Sequence, residues 1–216
     1  MNSSTDDAIF HVQSWAAECE HGAELLATTW DAGERARTAL GLTTSSTLGA
    51  VARHTGGILV AGGWLRIYGA GHPRLRRRVH RFAAELGLQG AIAIADDAVG
   101  GIFAFFRANE SVAYFGPDTL EWESLDMDYG DWLGAMLGGA FEGFYAPFQW
   151  SGWEQELQTL GPDQVWSFEP MLALEGLPAR ERPRTVVPLL EYWRNARTLG
   201  GKLHGRDGSP EAGTAG

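Results

Sequence analysis

Two adjacent carboxylates, Asp96 and Asp97, precede Gly100 and Gly101 in the run DDAVGG. Paired carboxylates are the donor type of a hard cation such as calcium. The spacing is not that of a calcium loop, and neighbouring strand residues point to opposite faces. A hairpin turn that uses Asp for local hydrogen bonds is the plainer account. The run GAGHPR at 69–74 supplies half of a nucleotide-binding glycine loop, without the full G-x-G-x-x-G pattern or a P-loop lysine. Two turns flanking a strand account for its glycines. A ligand site at this turn would bring His72, Arg74 and Asp97 together on a small anion.

Charge is unevenly spread. Arg66, Arg74, Arg76, Arg77, Arg78 and Arg81 hold six of the 17 basic charges, with His72 and His80 beside them. Such a patch suits a phosphate, a nucleic-acid backbone or an acidic protein. As a helix over 74–87, the segment would instead carry Arg74, Arg77, Arg78 and Arg81 on one solvated face. Between Asp96 and Asp131 stand nine acids against Arg107 alone, interleaved with Tyr114, Trp122 and Tyr129. An acidic surface repels nucleic acid and attracts basic partners, and aromatic anchors within a charged rim are what protein interfaces favour. Glu121, Trp122, Glu123, Asp128 and Tyr129 are the candidate protein-binding residues, and solubility is the plain alternative. Glu121 and Glu123 flank Trp122, so on one strand they would share a face.

No catalytic set is legible. The six histidines show no metal-ligand spacing, no Ser/His/Asp or Cys/His group has local context, and Cys19 falls on an apolar helical stripe. The expectation is a chain without metal or cofactor that acts as a binding protein rather than an enzyme, the alternative being a small-ligand-binding protein or enzyme with its site near the GAGHP turn. Of 216 residues, 44% are hydrophobic and 11% aromatic, enough for a sizeable core. A net charge of −10 argues against a general nucleic-acid binder. The lone cysteine excludes an internal disulfide and fits a reducing compartment. The acidic N-terminus is unlike a signal peptide, and apolar runs such as 91–95 and 102–106 are too short to span a bilayer. These point to a cytoplasmic protein that does not enter membranes.

The positioning elements follow from periodicity. Ile9, Val12, Trp15, Ala16 and Cys19 mark a helix over about 7–20, with Asp6 or Asp7 as its cap. A short strand fits 23–30, and 31–44 is ambiguous. Ser45 and Ser46 precede a short capped helix that stops at Gly56 and Gly57. Strands follow at 57–60 and 64–68. Residues 74–87 have helical periodicity. Strands at 91–95, 102–106 and 111–115 form a meander, with Gly100 and Gly101 supplying any positive φ, and one short strand fits near 119–124. Helices fit DYGDWLGAML from 128, then 140 to Pro147, and a short one capped by Ser151. A strand at 164–169, a loop over 175–188 and a helix at 189–199 complete the chain. Strands without intervening helices pair antiparallel. The expected fold is α+β: one domain over 1–204, a mostly antiparallel twisted sheet flanked by helices, and a disordered tail over 205–216, in the Gly/Ser/Pro-rich stretch that begins at Gly200.

HTGGILVAGGWLRIYGAGHPRL, ADDAVGGIFAF and YFGPDTLEWESLDMDYGDWL strongly resemble a bacterial family labelled domain of unknown function 2625, over roughly 7–170. Gly116 replaces a usual Ala in the Phe115–Glu123 tract, and Ala70 a usual Ser in Gly69–Arg74. The resemblance brings no activity with it. A more distant likeness is to the SUKH superfamily, in the order HTGG, LRIYG, DDAVGGIFAF, VAYF and DYGDWLGAML. It implies a twisted sheet and a protein-binding role, often immunity against a toxin, with a basic toxin domain as partner. The segment from Trp153 onward exceeds a minimal domain of that kind.

Overall fold

A computed structural model describes residues 7–205. Helix α1 (Asp7–Glu18) leads into β1 (Ala23–Leu26), α2 (Trp30–Leu40) and α3 (Thr47–His54). The expected cap Asp6 lies outside the described residues. Six strands follow: β2 (Gly57–Val60), β3 (Leu65–Tyr68), β4 (Ala91–Asp97), β5 (Ile102–Phe106), β6 (Ser111–Phe115) and β7 (Trp122–Ser124), with α4 (Phe82–Glu85) between β3 and β4. Then come α5 (Tyr129–Leu137), α6 (Ala140–Tyr145), α7 (Trp153–Leu157), the hairpin β8 (Gln164–Phe168) and β9 (Arg184–Pro188), and α8 (Leu189–His204).

Strands β1 to β7 pair in sequence order, every neighbour antiparallel. The domain is therefore α+β, built on an antiparallel meander. β2 and β3 are buried along their whole length, and β4 at every residue but the first, so the middle of the sheet is covered on both faces. On one face Phe103 meets Trp132 of α5, their rings 5.1 Å apart. On the other Phe115 meets Trp193 of α8 at 4.8 Å. The segment beyond Trp153 belongs to the same core: the fully buried Trp64 ring contacts Tyr145, Trp150, Trp153 and Trp166. Fully burying one such large side chain contributes about 1.5–3 kcal/mol.

Side-chain caps set the starts of α2, α3 and α5. The Ser46 hydroxyl accepts from the Gly49 amide at 3.1 Å and starts α3. Asp128 does the same for the Asp131 amide at 2.8 Å and starts α5. Several sequence expectations are corrected. The ambiguous stretch after residue 30 is the eleven-residue α2, capped by Thr29. The helix expected at 74–87 shrinks to Phe82–Glu85. Ahead of it Leu75, Arg77 and Val79 are buried in alternation. Arg77 turns inward to a buried carboxylate, which one solvated helical face of arginines would forbid. Ser151 does not cap α7, whose cap position is Gly152. The expected loop over 175–188 ends in β9, which pairs with all five residues of β8. Residues 200–204 complete α8, and Gly205 caps it in the left-handed region; 206–216 lie outside the described residues.

Gly100 supplies positive φ, at 93°. Gly101 serves a different need. A Cβ there would sit 2.2 Å from the Tyr114 hydroxyl and 2.3 Å from an Asp97 oxygen.

Candidate anion-binding pocket

The acids of β4 are structural. Asp96 is fully buried and gripped by two arginines. Arg77 donates Nε to Oδ1 at 2.9 Å and Nη2 to Oδ2 at 3.0 Å, and Arg66 donates to Oδ2. Arg66 also reaches the Gln164 carbonyl at 2.8 Å, and Arg77 reaches Asp163 at 3.1 Å. The cluster thus ties β3 and β4 to the start of β8. Asp97, equally buried, accepts from the Val99 amide at 3.0 Å, the Gly101 amide at 2.8 Å and the Tyr114 hydroxyl at 2.8 Å. Burial pushes its carboxyl up to about 6, against the lowering effect of those donors.

His72, Arg74 and Asp97 do not form one site. Arg74 is exposed and bidentate to Glu24 at 2.6 and 2.9 Å. Its backbone amide donates to His72 Nδ1 at 3.2 Å, so these two are local neighbours. Asp97 is sealed inside the sheet, its oxygens already hydrogen-bonded.

The acidic candidates are also dispersed. Tyr129 is only 4% exposed, so it is no surface anchor. Trp122 is half-buried among Phe106, Phe115 and Trp193. Glu121 lies just before β7 rather than on it, 3.6 Å from His204 Nδ1. Asp128 is spent as a helix cap. Glu123 remains exposed. Asp128 and Tyr129 line a cavity of about 860 Å³, whose Arg107 stands among Glu110, Asp128 and Asp131 and donates to the Leu40 carbonyl at 2.7 Å.

The cations left over meet elsewhere. Beside the GAGHP turn, a cavity of about 610 Å³ lies between α2 and residues 70–81. Its position is set by backbone contacts: the Ala70 amide donates to the Thr55 carbonyl at 2.9 Å, Gly71 to Gly56 at 3.1 Å, and Val79 to Gly69 at 2.9 Å. Gly71, at φ 101°, leaves room for the Arg78 stem, which a Cβ would meet at 2.8 Å.

Arg35, Arg78 and Arg81 line this cavity with His80. Among the described residues no carboxylate forms an ion pair with any of the three arginines. Glu34, also on the wall, is taken by Arg37 and by Arg53 at 3.0 Å. Asp31 is the one other acid lining it. His80 Nδ1 is buried without a hydrogen-bond partner. Burial first, then Arg81, Arg78 and Arg35, holds its imidazole below the usual histidine range. A neutral imidazole beside three unpaired guanidiniums suits a polyvalent anion, which guanidinium forks bind with charge-assisted hydrogen bonds.

Arg78, Arg81 and His80 were visible in the sequence as part of a basic patch. Arg35 was not. It sits more than forty residues earlier, in the stretch whose helicity was ambiguous, and only the tertiary fold brings it across.

The model of a family described as "Protein of unknown function DUF2625" matches residues 1–192. The "Putative uncharacterized protein YbfG" of Escherichia coli K12 is 35% identical over 198 residues, covering 88% of this chain and 91% of its own. An "Uncharacterized protein" of Haemophilus influenzae is 30% identical over 183 residues, 80% of each. Among solved structures, Atu4351 from Agrobacterium tumefaciens aligns over 80% of this chain and 82% of its own, at 15% identity and a TM-score of 0.48. No helix among the described residues is long and apolar enough to cross a membrane.

Proposed function

This chain belongs to the DUF2625 family, and we propose that it is a binding protein for a small polyvalent anion, held between α2 and the segment after the GAGHP turn. The observation that carries this reading is the convergence of Arg35, Arg78 and Arg81 on one cavity, without ion-pair partners among the described residues, in a chain of net charge −10. Gathered like charges repel one another, and a bound anion relieves that repulsion. A volume of about 610 Å³ lies within the range of small-ligand sites. Calorimetric titration with phosphate, pyrophosphate, tripolyphosphate and citrate tests it. Affinity should rise with anion charge, weaken with salt, and drop roughly tenfold for each of Arg35→Ala, Arg78→Ala and Arg81→Ala. No binding by any of the four anions would refute it.

A second reading is a basic protein partner on the acidic side, toxin neutralisation being its narrowest form. It is favoured by the 860 Å³ cavity walled by Asp128 and Asp131, and by exposed Met127 and Glu123 nearby in sequence. Charge reversal at Glu123 and Asp131 should then abolish capture of a basic partner; retention of capture would refute it.

A further inference from the structure

The anion pocket carries an aromatic platform. Trp30, the first residue of α2, is on its wall and 66% exposed, the most exposed large hydrophobic side chain of the described residues. The chain has nine tryptophans. Among the described residues Trp15, Trp64, Trp122, Trp132, Trp150, Trp153, Trp166 and Trp193 each contact another ring, and Trp30 contacts none. Exposing an indole forgoes the burial that most tryptophans obtain.

The ring is nonetheless held in place. The Arg53 guanidinium lies 4.6 Å from its centroid, and Arg53 is anchored to Glu34 at 3.0 Å. The backbone is fixed by Thr29, whose hydroxyl accepts from the Ala32 amide at 3.2 Å. One face of the indole is therefore backed by a cation that is itself immobilised.

Resting on the anion-binding reading, we propose that the ligand is a nucleoside polyphosphate, its base stacked on the free face of Trp30 and its phosphates among Arg35, Arg78 and Arg81. Every base has a π-face, and stacking on an aromatic side chain is tolerant of base identity. His80 also lines this wall. Asp31 on the same wall repels phosphate and suits the base or sugar end instead. A bare polyanion would use the arginines and leave Trp30 without a role.

The test is calorimetric titration of the full chain with ATP, GTP and sodium tripolyphosphate, which carry similar charge. The wild type should bind both nucleotides about tenfold more tightly than tripolyphosphate. In Trp30→Ala the ratio should fall to about one, and Trp30→Phe should retain most of it. Equal affinity for nucleotides and tripolyphosphate in the wild type, or an unchanged ratio in Trp30→Ala, overturns the stacking proposal and leaves the anion reading standing. Binding of none of the three overturns both. Circular dichroism of each variant confirms that the fold is intact.

Discussion

Asp96 and Asp97 are neighbours in β4 and belong to opposite faces of the sheet. Asp96 points to the side where Arg66, Arg77 and the start of β8 gather, and Asp97 to the side of Tyr114 and Tyr145, the latter at 3.4 Å. Strand alternation makes this unavoidable. One carboxylate is paired with two guanidiniums and the other is held by neutral donors, so two identical side chains sit in different environments.

That difference sets a pH dependence. Asp97 is raised from 3.8 to about 6, chiefly by burial. Between those values the unfolded chain has released this proton while the folded chain keeps it, so its contribution to stability is lost as pH rises from about 4 to 6. The integrated effect is on the order of 3 kcal/mol. Urea unfolding of wild type and Asp97→Asn at pH 4, 5, 6 and 7 should show the variant gaining relative to wild type across this window. Parallel profiles would contradict it.

The Asp96 cluster should be intolerant of losing one member. Arg77→Met leaves a buried carboxylate with one arginine in place of two, and truncating a buried pair costs about 3–5 kcal/mol. Exposed Arg74→Met, which breaks only the pair with Glu24, should cost under about 1 kcal/mol. Equal unfolding midpoints for the two variants would show that the buried cluster contributes nothing special.

Gly101→Ala should destabilise by roughly 2–3 kcal/mol, because its Cβ falls within the Asp97–Tyr114 hydrogen bond. Gly143→Ala, where a Cβ meets nothing within 4 Å, is the control and should be neutral or mildly stabilising within α6. Thermal melts of the pair decide it.

Anion affinity should rise as pH falls. His80 is held below its ordinary range by burial and by Arg81, Arg78 and Arg35. A bound anion offsets those cations and raises the imidazole pKa, so binding takes up a proton and tightens as pH falls towards the pKa of free His80. Asp31 and the paired Glu34 also face the cavity, and the phosphates titrate as well. These are common to wild type and His80→Asn, so the difference between their pH profiles isolates the imidazole. Identical profiles would remove His80 from the site.

The amino-acid sequence by itself determined the elements whose signals are local. Apolar runs marked β4, β5 and β6, the short loops between them imposed antiparallel order, and Asp128 and the pair Ser45 and Ser46 marked helix starts, since a cap acts within three residues. It also located the cluster from Arg74 to Arg81 and the family. Only the tertiary structure decided which of those arginines are free. Asp96 draws Arg77 into the core and so prevents the helix that periodicity suggested, and Glu24 occupies Arg74. What remains, Arg78 and Arg81, meets Arg35 and Trp30 across a gap of more than forty residues. Burial and ion pairing are long-range in sequence, and they turned two conspicuous aspartates into core groups and made an ordinary helix face the wall of a cavity.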